Sequence, residues 1–261
     1  MKTLLELNRF NHITFHEEEH RYTIGERELR SVTQIVSDFK EPFDKEGNAE
    51  RVAKKRGVSI EAILDEWELK RDISCEKGTL FHQYVEHFLA NKAFVYPEEE
   101  VLTKFGEDPI QAYWPSLVSM FEQFHRDSSR SLVPVRSEFV VGDEELGIGG
   151  MVDQIFFNRK SGQLEIWDWK TNKAIGKSSP FGKRLLAPLD HLDECEWHTY
   201  SLQLALYKHL IEKNTQLQFG HSYIAWFHEK NETYKVFRCA PFVSEIKVML
   251  EQVTQYTQES A

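Results

Sequence analysis

Apolar and polar positions change their spacing partway along the chain. Residues 13–28, ITFHEEEHRYTIGERE, alternate around Gly25, and this pattern predicts a β-hairpin over 13–29. Ser31 stands where an N-cap is needed for a short helix in SVTQIVSDF, which Pro42 stops. Residues 47–71 follow the helical period with a break at Gly57, and GTLFHQYVEHFLANK predicts an amphipathic helix over 79–91. Residues 98–105 read as a linker, and 109–127 as a helix with Pro115 awkwardly placed inside it. The period then drops to two. VPVRSEFVV, IGGMVDQIFF and QLEIWDWK are three consecutive strands, followed by a loop over 174–196 marked by Gly176, Pro180, Gly182 and Pro188. HTYSLQLALYKHLIEK is a helix, HSYIAWFHE and TYKVFRC form a hairpin, and 243–256 form a closing helix. This order predicts an α/β (α+β) fold: a central mixed sheet flanked by helices, with an α-rich N-terminal part.

A chain of 261 residues fits one sizeable unit or a domain with an accessory lobe. We divide it into a hairpin and helical region over 1–77 and a core over 78–261. No apolar run approaches the ~20 residues of a membrane span. The first residues, MKTLLELNRF, are too weakly apolar for a secretory signal. An intracellular protein without membrane partners is expected, in the cytoplasm, in a host cell's cytoplasm if phage-encoded, or in a mitochondrion. Cys75, Cys195 and Cys239 are scattered and odd in number, which suits reduced thiols and neither a disulfide framework nor a four-cysteine metal or iron–sulfur site. The net charge of −10 argues against coating of duplex DNA, but it leaves room for a local basic groove. Lys170, Lys173, Lys177, Lys183 and Arg184 fall in a stretch without acids, and Arg51, Lys54, Lys55 and Arg56 form a second cluster. A solvated charged face is the plain alternative for each.

The chemistry concentrates at the end of the third strand. Leu164, Ile166, Asp168 and Lys170 share one face of it, so Trp167 and Trp169 must point to the other, into a helical layer. A turn centred between Lys160 and Ser161 places Phe157 opposite Leu164 and Asp153 opposite Asp168. A bulge at Gly162 would shift that register. Directly opposed carboxylates repel unless a cation lies between them. Two hard oxygen donors suit Mg²⁺ or Mn²⁺, and Lys170 beside them can orient water or offset charge on a phosphate. An internal Asp–Lys ion pair is the competing reading. His82 could add a third ligand from the 79–91 helix, with Glu86 one turn further on the same face.

GGMVD followed by IWDWK resembles the catalytic core of the PD-(D/E)XK nuclease superfamily. KGTLFHQYVE resembles the helix carrying the extra histidine of its RecB-like exonuclease branch, and Gln203-x-x-x-Tyr207 in QLALY resembles that branch's Gln-x-x-x-Tyr motif. The motifs run in the branch's order from residue 78 to 207. SVTQIVSDFKEPFD and ERVAKKRGVS are similar to small phage-type and mitochondrial-genome-maintenance exonucleases of this branch. The resemblance implies a restriction-endonuclease-like core. It implies metal ligation by His82, Asp153, Asp168 and the Trp169 carbonyl, and catalysis by Asp153, Asp168 and Lys170. Gln203 and Tyr207 would contact the DNA strand or brace the site, and Glu86 and Glu138 would support it. Lys173, Lys177, Lys183 and Arg184 would guide the DNA backbone. The expected cofactor is Mg²⁺ or Mn²⁺ without an iron–sulfur cluster, and the expected substrate is single-stranded DNA or DNA ends. A G-x-x-x-x-G-K-[ST] loop is missing, so unwinding would fall to a separate helicase, alongside a polymerase or recombinase as further candidate partners. Repair, recombination and phage replication are all compatible settings. A structure-specific endonuclease and a catalytically silent nucleic-acid-binding module are the alternatives.

Overall fold

The computed structural model describes residues 2–259. A helix, α1 (Lys2–Leu7), leads through a single 3₁₀ turn into three short strands, β1 (Ile13–His16), β2 (Arg21–Ile24) and β3 (Arg27–Ser31). The alternating segment is therefore a three-stranded meander rather than one hairpin. Its additional turn falls in the polar run Glu17 to His20, where His20 takes a positive φ of 50°. Ser31 caps α2 (Val32–Ser37) with a full capping box, its hydroxyl accepting from the Gln34 amide while the Gln34 side chain returns to the Ser31 amide.

Next come α3 (Lys45–Arg56) and α4 (Ile60–Leu89). Gly57 ends α3 in the left-handed region at φ 68°, and Ser59 caps the new helix. α4 is one continuous helix of 30 residues, about 45 Å long at helical rise, so the helix expected over 79–91 is only its last part. Its first half packs on α3 through Ala49, Ala53 and Ile63, with Trp67 against them.

Residues 98–105, expected to be a linker, form α5 (Glu98–Phe105). Three glutamates in the first turn and Lys104 in the last complement the helix dipole, Gly106 closes the helix, and Val101 anchors it. α6 (Trp114–Ser128) begins immediately before Pro115. The proline therefore lies in the first turn, where its missing N–H has no intrahelical partner to lose.

The sheet follows. β4 (Leu132–Asp143), β5 (Ile148–Asn158) and β6 (Gln163–Lys170) are antiparallel neighbours, α7 (Glu196–Asn214) crosses over, β7 (Phe219–Trp226) and β8 (Lys235–Arg238) form a hairpin, and α8 (Val243–Glu259) closes the chain. The eight-stranded sheet is mixed, with the order β1-β2-β3-β5-β6-β7-β8 and β4 on the far side of β5. β6 is buried on both faces. Leu164 and Ile166 enter a core formed with α2, α7 and α8, while Trp167 and Trp169 enter a second core made by α4 and α6. The sequence places the tryptophans on that side, and the structure agrees. Among the described residues no helix is long and apolar enough to cross a membrane.

Divergence of two strands creates the site. β3 bonds β5 only at Ile148 and Gly149, whereas β6 bonds the same edge only from Gln154 onward. Between them the edge of β5 from Gly150 to Asp153 is open, because β6 leaves β5 and continues beside β7, pairing Asp168 with Ile224 and Lys170 with Trp226.

Candidate active site

The register on which the carboxylates depend is observed: Phe157 pairs with Leu164 and Gln154 with Trp167. The ladder stops there, one pair short of Asp153 and Asp168. Beyond it the Asp153 side chain acts as acceptor, and Trp169 N–H donates to its Oδ2 at 2.8 Å. A carboxylate thus closes the gap between the diverging strands.

α4 lays His82 over this gap. Its Nε2 lies 2.9 Å from the Trp169 carbonyl oxygen. A carbonyl can only accept, so Nε2 carries the hydrogen and Nδ1 faces the carboxylates. Nδ1 is 3.7 Å from both Glu138 Oε1 and Asp153 Oδ2. Glu138 reaches this position from β4, whose pairings Ser137 to Gln154 and Phe139 to Val152 set it across from Asp153. It does so with φ at 43°, a region that disfavours side chains with a Cβ. Strain of this kind persists where the surrounding structure enforces it, often at functional sites.

Donor atoms of His82, Glu138 and Asp153 lie within 4.8 Å of one another. One imidazole nitrogen and two carboxylates, all partly exposed, fit a divalent cation that takes oxygen and nitrogen ligands and keeps waters. This cluster contains His82 and Asp153 of the expected ligands together with Glu138, and Asp168 lies outside it, beside Lys170. The Trp169 carbonyl orients His82 from behind. Glu86, one turn along α4, is outside the cluster among the described residues.

Asp168 is instead engaged with Lys170, whose Nζ lies 2.6 Å from Asp168 Oδ2, both side chains being largely buried. Burial raises the Asp168 carboxyl to about 6, with Asp153 adding to the rise and Lys170 opposing it. For Lys170 burial alone would lower the ammonium, but Asp168 and Asp153 outweigh it and raise its pKa above the ordinary lysine value. Burial likewise opposes protonation of His82, and Asp153 and Glu138 override it, taking the imidazole to about 9. Lys170 also sits 4.8 Å over the Tyr200 ring, and the Tyr200 hydroxyl accepts from Asn172 Nδ2 at 2.6 Å. No motif in the sequence marks Asn172.

Tyr207 is buried, and Gln203 Nε2 donates to its hydroxyl at 3.1 Å. The ring lies against Gly150, where an added Cβ would be 2.5 Å from Tyr207 Cε1. Gly150 of β5 thus lets an aromatic ring approach the open edge, and Gln203 holds that ring by its hydroxyl. The basic stretch divides: Lys183 pairs with Glu41 at 3.6 Å, Arg184 with Asp193 at 2.9 Å, and Lys177 lies 5.4 Å over Trp197. Lys173 is exposed beside the site.

The family model of the PD-(D/E)XK nuclease superfamily matches residues 60–260, and the chain belongs to that superfamily. No curated protein matches it. Among solved structures the chain is similar to an alkaline exonuclease, LHK-Exo from Laribacter hongkongensis, with 8% identity over 89% of each chain and a TM-score of 0.39. It is also similar to SSO0001, with 12% identity over 68% of this chain and 84% of that one and a TM-score of 0.25. At those scores neither likeness bears on mechanism, and the assignment rests on the family match.

Proposed function

We propose that this protein is a divalent-metal-dependent deoxyribonuclease, using Mg²⁺ or Mn²⁺, that degrades single-stranded DNA or DNA ends exonucleolytically. The observation that carries the reading is the convergence of His82, Glu138 and Asp153 at an opening in the sheet, directly beside the buried Asp168–Lys170 pair. His82, through Nδ1, Glu138 and Asp153 would hold the cation. When bound, it would offset charge on the scissile phosphate and lower the pKa of a coordinated water.

The remaining roles belong to the chain's own groups. Trp169 N–H and carbonyl fix Asp153 and His82 respectively, so both ligands are oriented by one peptide unit of β6 and its neighbour. Lys170 is protonated at neutral pH because the carboxylates raise it, so it acts as a donor. It hydrogen-bonds the attacking water or stabilises charge developing on the phosphate oxygens. Asp168 keeps the ammonium in place, and Tyr200 limits its motion from the other side. Lys173 and Lys177 supply positive charge along the path leading away from Lys170.

Digestion of end-labelled linear single strands and of circular single strands, with Mg²⁺ or Mn²⁺, tests the reading. Loss of label from linear strands with intact circles is expected. Cleavage of circles would replace the exonuclease with an endonuclease, and full activity of Lys170→Ala would remove the catalytic assignment.

A further inference from the structure

A recess of about 460 Å³ opens immediately beyond Lys170, at the ends of β6 and β7 and against the middle of α4. Thr171, Asn172 and Lys173 form one wall, His228, Glu229 and Lys230 the second, and α4 supplies Arg71, Ser74, Cys75 and Lys77. Two bonds hold the ends of β6 and β7 together beneath it: Phe227 N–H donates to the Lys170 carbonyl at 2.8 Å, and Trp226 Nε1–H to the Asn172 carbonyl at 2.7 Å.

The recess is rich in cations, and they divide into two kinds. Lys77 is largely buried and pairs with Glu229 at 3.4 Å, and Arg71 pairs with Glu68 and Asp72. The Lys230 amide donates to His228 Nδ1 at 3.2 Å, which fixes the tautomer and leaves Nε2–H facing Glu229 at 3.4 Å. His228 therefore positions the Glu229 carboxylate that anchors Lys77. Burial, with Lys77, Lys230 and Lys173 close by, keeps this imidazole below its ordinary pKa, so it is neutral and contributes no charge of its own. Lys173 and Lys230 are different. Both are exposed, and neither has a carboxylate partner among the described residues. Two lysines without carboxylate partners, from separate loops, line one recess together with Ser74 and Thr171.

We infer that this recess binds a phosphate monoester, the group that ends a nucleic-acid strand or leaves on a released mononucleotide. A terminal phosphate carries a charge of about −2 at neutral pH, matching the two free ammonium groups, whereas an internal phosphodiester carries one. The volume lies in the range of small-ligand sites, roughly 300–1,000 Å³, and leaves space for the sugar attached to the phosphate. Such a site, next to Lys170, would fix the distance from the strand end to the bond cut. The inference rests on the nuclease reading for the identity of the strand, but the recess can be tested without catalysis.

The test is fluorescence anisotropy in EDTA with short single-stranded oligonucleotides bearing a 5′-phosphate, a 3′-phosphate or only hydroxyl ends, and with dAMP against deoxyadenosine as competitors. The wild type is expected to bind one phosphate-ended form at least tenfold more tightly than the hydroxyl-ended form, and that form names the end that enters. Preferential competition by dAMP would show that the same groups hold the released product. Lys173→Ala/Lys230→Ala should abolish the difference and reduce the slope of log affinity against log salt by about 1.4, near 0.7 for each ammonium taken away from the phosphate. Lys173→Arg/Lys230→Arg should keep most of it. Equal binding of all ends by the wild type, or a difference that survives in the alanine double variant, overturns the inference. End discrimination in a protein that cuts nothing with Mg²⁺ or Mn²⁺ would remove the nuclease reading alone, and cutting without end discrimination would remove the recess alone.

Discussion

Metal binding at His82 must displace a proton, and this sets a measurable pH dependence. The Asp153 and Glu138 carboxylates bring the imidazole to about 9 in the metal-free protein. Nε2–H is committed to the Trp169 carbonyl, so the proton that leaves is the one on Nδ1. At pH 7 a group of that pKa is neutral in only about 1% of molecules, and the apparent metal affinity lies ~100-fold, or ~2.7 kcal/mol, below its limit at high pH. Between pH 7 and 8 the affinity should therefore rise nearly tenfold. An imidazole at the ordinary value of about 6.5 would give a rise of only about 1.3-fold. The window lies above Asp168, whose carboxyl titrates near 6, so that group does not mask the effect. Calorimetric titration with Mn²⁺ in two buffers of different ionisation enthalpy should show close to one proton released per ion at pH 7. His82→Gln should make the affinity independent of pH in this range. A change of less than twofold between pH 7 and 8, with no proton release, would refute the placement of His82 Nδ1 among the ligands.

Substitutions at Lys170 and Asp168, at Glu138 and at Gly150 have defined outcomes. Lys170→Met leaves the buried Asp168 carboxylate without its partner and should destabilise the fold by about 3–5 kcal/mol in denaturant titration, whereas Asp168→Asn/Lys170→Met should regain most of that without regaining activity. A double variant as unstable as the single one would contradict the ion-pair account. Glu138→Gly relieves a side chain held at φ 43° and should stabilise the protein by about 1 kcal/mol while weakening Mn²⁺ binding; a loss of stability would show that the backbone there is not strained. Gly150→Ala drives a methyl group into Tyr207, at 2.5 Å from its ring, and should lower stability by about 1–3 kcal/mol, read as a shifted denaturation midpoint.

The parts of the fold that were legible in the sequence are those set by local pattern. Alternation along QLEIWDWK distributes its side chains between two cores, and the short turn after Asn158 gives the pairing of Phe157 with Leu164, since Gly162 at φ 71° completes the turn without shifting the register. The helix at Glu98–Phe105 leaves little trace in the pattern because its only buried apolar anchor is Val101, and the acids that stabilise its first turn look like a solvated run. α4 extends further back than its amphipathic stretch because Ile63 and Trp67 face only the small core of α3, which gives a weak apolar stripe. At the site, local spacing marks Asp153, Asp168 and Lys170 as neighbours on adjoining strands, but not that Asp168 pairs with Lys170 while Asp153 lies with His82 and Glu138. Glu138 enters the cluster through long-range β4–β5 pairing and a positive φ that no neighbouring residue announces. The meeting of Lys173 and Lys230 across one recess likewise joins loops remote in sequence.

A divalent cation held by His82, Glu138 and Asp153 at the open edge of β5 is what the proposed chemistry requires. Anomalous diffraction from a crystal soaked in Mn²⁺ tests it most directly. A strong peak bounded by His82 Nδ1 and the carboxylates of Glu138 and Asp153 is expected, and it should be lost in Asp153→Asn. A peak elsewhere on the molecule, or none at an Mn²⁺ concentration that supports cleavage, would contradict it.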